Sequence, residues 1–185
     1  MNGKWTTADG APLFGLLAEF ADVDALIEGA EKVREAGYTK WDAHTPFPVH
    51  GLDDAMGIRH TKLSYLVFAA GVFGVFAGLG LQWWTNTVDY SLILSGKPFF
   101  ALPANIPVLF EVMVLFAAAA AFVGMLAFNN LPLWYHSLFK SRRFLRATND
   151  RFFISIEARD PKFDPRATRA LLESLRGAAV EEVEE

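Results

Sequence analysis

The chain has 185 residues, 52% of them hydrophobic and 21% charged, with a mean hydropathy of +0.23, too apolar for an ordinary soluble domain and too charged for a bundle of many spans. A formal net charge of −4 and a pI near 5.6 give no basic footprint for nucleic acid. With no cysteine, this sequence can form no disulfide, thiolate zinc site, iron–sulfur cluster, thioether-linked haem or lipidated N-terminal cysteine.

The first patterned segment, LFGLLAEF, places Phe14, Leu16, Ala18 and Phe20 on one face with the period of a strand. Glu19 and the acidic stretch from Asp22 to Glu35 keep it from reading as a secretion signal, so the start of the chain is expected in the cytoplasm. A helix follows. Asp22 is its N-cap, Asp24 and Glu28 suit its positive end, Leu26, Ala30 and Val33 form its apolar stripe, and Gly37 terminates it. TKWDAHT is a second strand, stopped by Pro46 and Pro48. GLDDAMG reads as a turn leading into the next segment; Asp53 and Asp54 lack the further oxygen ligands that a metal site needs.

Two long apolar runs come next. Leu63 to Trp84 is free of charge over 22 residues, and Pro107 to Phe128 has the same length with Glu111 in its first turns; each is long enough to cross a bilayer. Trp83, Trp84 and Tyr90 mark one interface, Trp134 and Tyr135 the other. Arg59 and Lys62 precede the first run and Lys140, Arg142, Arg143 and Arg146 follow the second, whereas only Lys97 lies between them. Both termini are therefore expected inside, with the loop 85–106 on the periplasmic side. Gly96, Pro98, Pro103 and Pro107 suit that loop to a tight turn.

The C-terminal half repeats the N-terminal pattern. RFFISIEA alternates Phe152, Ile154 and Ile156 against Phe153, Ser155 and Glu157; Asp164 and Pro165 open a helix that buries Leu171, Leu172 and Leu175 and stops at Gly177. AVEEV supplies a charged edge strand, and the final EEVEE a solvated edge or tail. The fold class is thus α+β: segments 1–62 and 129–185 make a ferredoxin-like β-α-β plus β-α-β cytoplasmic domain, with the spans 63–84 and 107–128 inserted where that sandwich has a hairpin turn. The alternative is two unrelated tails.

Glu111 is the sharpest candidate for chemistry, because a carboxyl group inside a span faces a cavity, a partner or a proton path; a turn or so from the outer end, it could also reach headgroups. His44, His50, His60 and His136 lie outside the spans without ligand spacing, and none is assigned to a haem or metal. Ala70, Gly74 and Gly78 recur every fourth residue, and Ala117, Ala121 and, offset, Gly124 do similarly. These stripes face each other within the hairpin, or at least one faces another subunit, the reading preferred here.

LFGLLAEF, the block from Val33 to Gly57, QWWTNTVDY with the later SGKPFF, and RDPKFD together resemble the ActD subunit of alternative complex III, a bacterial quinol-oxidising respiratory complex. The resemblance runs from Leu13 to about Leu175 and lapses at Ser64, Tyr65, Ser91 and Ser95. It implies a non-catalytic subunit of the inner membrane that braces polytopic subunits, with no cofactor of its own. Haem c would sit on a multihaem cytochrome c subunit, iron–sulfur clusters on a large peripheral subunit and quinone in a polytopic one, and proton translocation would be a further possibility for the complex. A rival from another class is a stand-alone membrane sensor or adaptor whose ferredoxin-like domain binds a ligand. An enzyme in its own right ranks last, since no nucleophile, metal or phosphate-loop constellation is present in the sequence.

Overall fold

A computed structural model describes residues 5–7, 10–93, 95–96, 98–175 and 179–185, and the chain divides into two units, 1–59 with 134–185, and 60–133. Lys97 and Gly177 lie outside the described residues. The first unit holds β1 (Leu13–Phe20), α1 (Val23–Glu35), β2 (Trp41–His44) and α2 (Leu52–Met56) from the N-terminal flank. The second is the helical pair α3 (Leu63–Trp84) and α4 (Leu102–Phe128). The C-terminal flank then returns β3 (Phe152–Glu157), α5 (Pro165–Ser174) and β4 (Ala179–Glu184) to the first unit.

The strands form one four-stranded sheet in the order β2-β3-β1-β4, with every neighbouring pair antiparallel. Register sets the two faces, because residues directly opposite each other point the same way. Leu16 lies opposite Ile156, Ala18 opposite Ile154 and Phe20 opposite Phe152; these six form the floor on which α1 and α5 bury Leu26, Val33 and Leu172. Phe14 departs from the expected alternation. The pairing of β1 with β4 shifts between Leu13 and Gly15, so the extra residue turns Phe14 to the opposite face and brings Leu13 to the helix side. Gly15 makes this possible, since a Cβ there would stand 2.1 Å from the Ile156 carbonyl oxygen.

Helix α1 starts where the Asp22 carboxylate accepts the Ala25 N–H at 2.8 Å, and ends before Gly37, whose φ of +81° suits glycine. Helix α5 opens on Asp164, which accepts N–H groups from Arg166 and Ala167, and it ends at Ser174. GLDDAMG is not a plain turn. Leu52 and Ala55 drop into the core beneath the one-turn helix α2, and the Arg34 guanidinium holds its last turn by donating to the Asp54 carbonyl at 2.6 Å.

The opposite sheet face, which carries Phe153 and Ser155, is also covered. Two 3₁₀ turns, Ser137–Lys140 and Phe144–Thr148, set Leu138 and Ala147 with Phe144 against Leu17, Phe153 and Val183. Around this apolar centre sits a ring of charge: Glu19 lies 3.4–3.7 Å from the guanidinium groups of Arg143, Arg146 and Arg151, which together line a pocket of about 460 Å³.

Asp160 ties the two halves together on the other side. Its carboxylate accepts from the backbone N–H of Thr39 (2.6 Å), Lys40 (2.7 Å) and Lys162 (2.7 Å) and from the Thr39 hydroxyl. Burial opposes the charge, yet these donors outweigh it and hold the carboxyl below the usual aspartate range. Removing it in Asp160→Ala is expected to cost about 2–3 kcal/mol of unfolding free energy, because three backbone N–H groups lose a charged acceptor. A carboxyl whose folded value is depressed contributes stability above its unfolded value and loses it as pH falls through the folded one. Denaturant unfolding of the full chain in detergent should therefore weaken below about pH 4 in the wild type, and less steeply in the Ala variant.

Candidate functional site

The second unit is built from α3, which a π turn at Thr85–Asp89 extends to 27 residues, and α4, also of 27 residues; each is apolar enough to cross a membrane. Helix α4 starts at Leu102 rather than at Pro107. Pro103 sits in its first turn, where a missing N–H is harmless, and Pro107 removes a single bond, the one to the Pro103 carbonyl. The segment between the helices thereby shortens from the expected 85–106 to 90–101.

The helices meet through glycine. A Cβ at Gly74 would stand 2.9 Å from the Met113 Cα and 3.0 Å from the Val112 carbonyl oxygen, both backbone atoms of α4. At Gly78 it would meet Leu109 and Val112 side chains at 3.3 Å, and at Gly71 it would come within 3.8 Å of the Ala117 Cβ. Gly71, not Ala70, is the buried residue that continues the Gly74–Gly78 contact; Ala70 is half-buried. On α4, Gly124 is buried under Leu63 and Leu66, while Ala117 and Ala121 line an apolar groove of about 440 Å³ with Val67, Phe68, Met113 and Val114. Near the connecting segment, Gln82 donates to the carbonyls of Gly78 and Asn105, both at 3.3 Å.

Glu111 stands elsewhere. Around Glu111 the residues of α4 that meet α3 include Leu109, Val112, Met113 and Phe116, so the helical repeat turns Glu111 away from that contact, and it is exposed with no hydrogen bond or ion pair among the described residues. It lies nine residues beyond Leu102, roughly 13.5 Å along the axis. Centred on a hydrocarbon core of about 30 Å, a 27-residue helix would hold Glu111 some 8 Å inside the edge, deeper than the first turn suggested by sequence.

In the first unit the sheet brings together two histidines that lie far apart in sequence. His44, on β2, meets the Ser155 hydroxyl at 3.1 Å and the Phe144 ring edge-on at 4.9 Å; His136 stacks edge-on with Phe14 at 5.2 Å and accepts the Leu138 N–H through Nδ1. They line a polar pocket of about 380 Å³. Burial pushes His44 below its usual value, Asp42 opposes this and His136 adds to it. His50 and His60 are exposed. Among the described residues no group of three or more His, Asp or Glu could hold a metal ion. Sequence reading missed the Glu19 ring and the Asp160 knot. Glu19 was the available signal for the first, a lone acid inside an apolar strand with four arginines following the second apolar run.

Because Gly71 and Ala117 approach at ideal Cβ–Cβ spacing for a disulfide, and the chain has no cysteine of its own, the pair Gly71→Cys/Ala117→Cys reports on the helix contact without background. Adding Gly74→Leu is expected to abolish the oxidative cross-link in non-reducing gels, since backbone atoms cannot make room. Gly80→Ala, with nothing within 4 Å, should leave the yield unchanged.

A model of the family described as the ActD subunit of alternative complex III matches residues 14–182, from the first strand through both long helices to the last strand. A comparison with curated proteins gives no match. With a match over most of its length, the chain belongs to the ActD family and is a subunit of alternative complex III.

Proposed function

We propose that this subunit is a non-catalytic brace in the quinol-oxidising complex. Its hairpin spans the inner membrane and presents an open face to polytopic neighbours, and its flanks fold on the cytoplasmic side as a ferredoxin-like sandwich split by the hairpin. The observation that carries this reading is the surface that the α3–α4 contact leaves uncovered: Phe68, Phe76, Phe110 and Phe122 are exposed there, and so is Glu111. Lipid can cover the aromatic rings. A carboxylate facing lipid costs up to about 2.5–3.5 kcal/mol, the value at the helix centre, and a polar or cationic group on a neighbouring helix would offset the cost at the depth of Glu111.

Support for the split sandwich comes from the strand order, in which β3 enters between β1 and β2 and β1 between β3 and β4. Support for orientation comes from Arg59 and Lys62 before α3 and the arginine-rich run after α4, against Lys97 alone between the helices. Haem c, iron–sulfur clusters and quinone then belong to partner subunits, a division consistent with the lack of cysteine in this sequence. Within that arrangement Glu111 takes part in a proton path or in a pair with a neighbouring subunit.

Mild detergent extraction is expected to recover this chain in a large haem-containing assembly; recovery as a small oligomer without haem would reject the bracing role. Glu111→Gln keeps the shape and removes the charge. The assembled variant is expected to oxidise quinol about tenfold more slowly if Glu111 relays protons, whereas wild-type turnover would take it out of the proton path and leave the pairing role.

A further inference from the structure

We infer that residues 134–145 form a membrane-docking face for anionic phospholipid headgroups, so that the first unit, 1–59 with 134–185, adheres to the bilayer through its own surface as well as through the hairpin. The stretch 134–145 carries three cations (Lys140, Arg142, Arg143) and no acid, a charge of +3 in a chain whose total is −4, so the remainder carries −7. A segregated charge of that sign next to an apolar helix is what a negatively charged leaflet attracts.

The structure adds an apolar component that charge counting cannot supply. The 3₁₀ turns are apolar on both sides. Leu138 and Ala147 point into the sheet with exposures of 1% and 7%, while Phe139 and Leu145, each 65% exposed, flank one shallow groove on the outer side. Trp134, at 92% exposure, and Tyr135 complete an outward aromatic edge. Rings with a polar tip beside guanidinium groups match headgroup depth better than either bulk water or hydrocarbon. Among the described residues Arg142 has no acidic partner, unlike Arg143, which lies within 4 Å of Glu19 and Glu181. Arg142 is therefore the cation free to meet a phosphate.

The proposal rests on reading α3 and α4 as spans, and the test separates the two. Single cysteines, Phe139→Cys or Leu145→Cys on the outer turns and Ala170→Cys on α5 at the other side of the sheet, can each carry a fluorophore in the full chain reconstituted into vesicles. In mixed phosphatidylcholine–phosphatidylglycerol vesicles, labels at 139 and 145 should be quenched by nitroxide-bearing lipid and shielded from iodide, with the label at 170 open to iodide. Arg142→Gln should lower the shielded population about fivefold relative to the open one, and phosphatidylcholine alone should lower it further. Labels at 139 and 145 as accessible as that at 170 in both vesicles would overturn the docking face, as would shielding seen only in the assembled complex, which would assign this surface to a protein neighbour. Alkaline carbonate reports on the spans separately: a chain it strips from vesicles has no integrated hairpin, while an integrated chain with open labels loses the docking face alone.

Discussion

Every hydrogen-bonded strand pair in the sheet joins the two flanks of the hairpin. β2 pairs with β3, β3 with β1, and β1 with β4; no strand has a neighbour from its own half. Neither flank can make a sheet by itself, and an unpaired strand leaves its backbone donors and acceptors to water. The fold of the first unit is thus conditional on both flanks sharing a compartment.

Asp160 and Glu19 reinforce this dependence with charge. Asp160, from the C-terminal flank, gathers the N–H groups of Thr39 and Lys40 from the N-terminal one, and Glu19, from the N-terminal flank, gathers three arginines that follow the second helix. The two are not equivalent. Asp160 is buried and held by short hydrogen bonds, so its removal leaves three backbone N–H groups without their acceptor; Glu19 sits at ion-pair distance from three arginines that are themselves partly exposed, where solvent weakens the contacts. The first fixes geometry through hydrogen bonds, and the second gathers the arginines of the 3₁₀ cover at the longer range of ion pairs.

Much of this was legible in the sequence because the signals were local. Asp22, Gly37 and Asp164 mark helix ends through capping chemistry that acts within a turn, and the extent of α3 follows from an uninterrupted apolar run. What escaped were effects of partners distant in sequence. The bulge that turns Phe14 over depends on how β4 registers with β1, and the burial of Phe153 depends on Leu138 and Ala147 from the 3₁₀ turns. Likewise the early start of α4 rests on how prolines behave near a helix N-terminus, which a hydropathy boundary at Pro107 does not register. In the small-residue stripe Gly74 and Gly78 face α4 and only Ala70 departs, for a similar reason: a four-residue repeat starting from Ala70 overlooks that α3 meets α4 along Gly71, Gly74 and Gly78, where the spacing alternates between three and four.

The same contact decides what the hairpin has left to offer. Were the glycines on an outer face, they would be the natural seat for another helix; packed inward, they let α3 and α4 approach until a methyl group would touch backbone. That closeness makes the pair a single narrow element and pushes its aromatic side chains outward, with Glu111 among them. On the bracing role proposed above, recognition of a neighbour would rely on large side chains filling its surface and on one carboxyl group whose burial is favourable only with a polar or cationic partner. A surface of that kind tolerates few neighbours, since a wrong helix would match the aromatic shape or satisfy the carboxyl group, but seldom both.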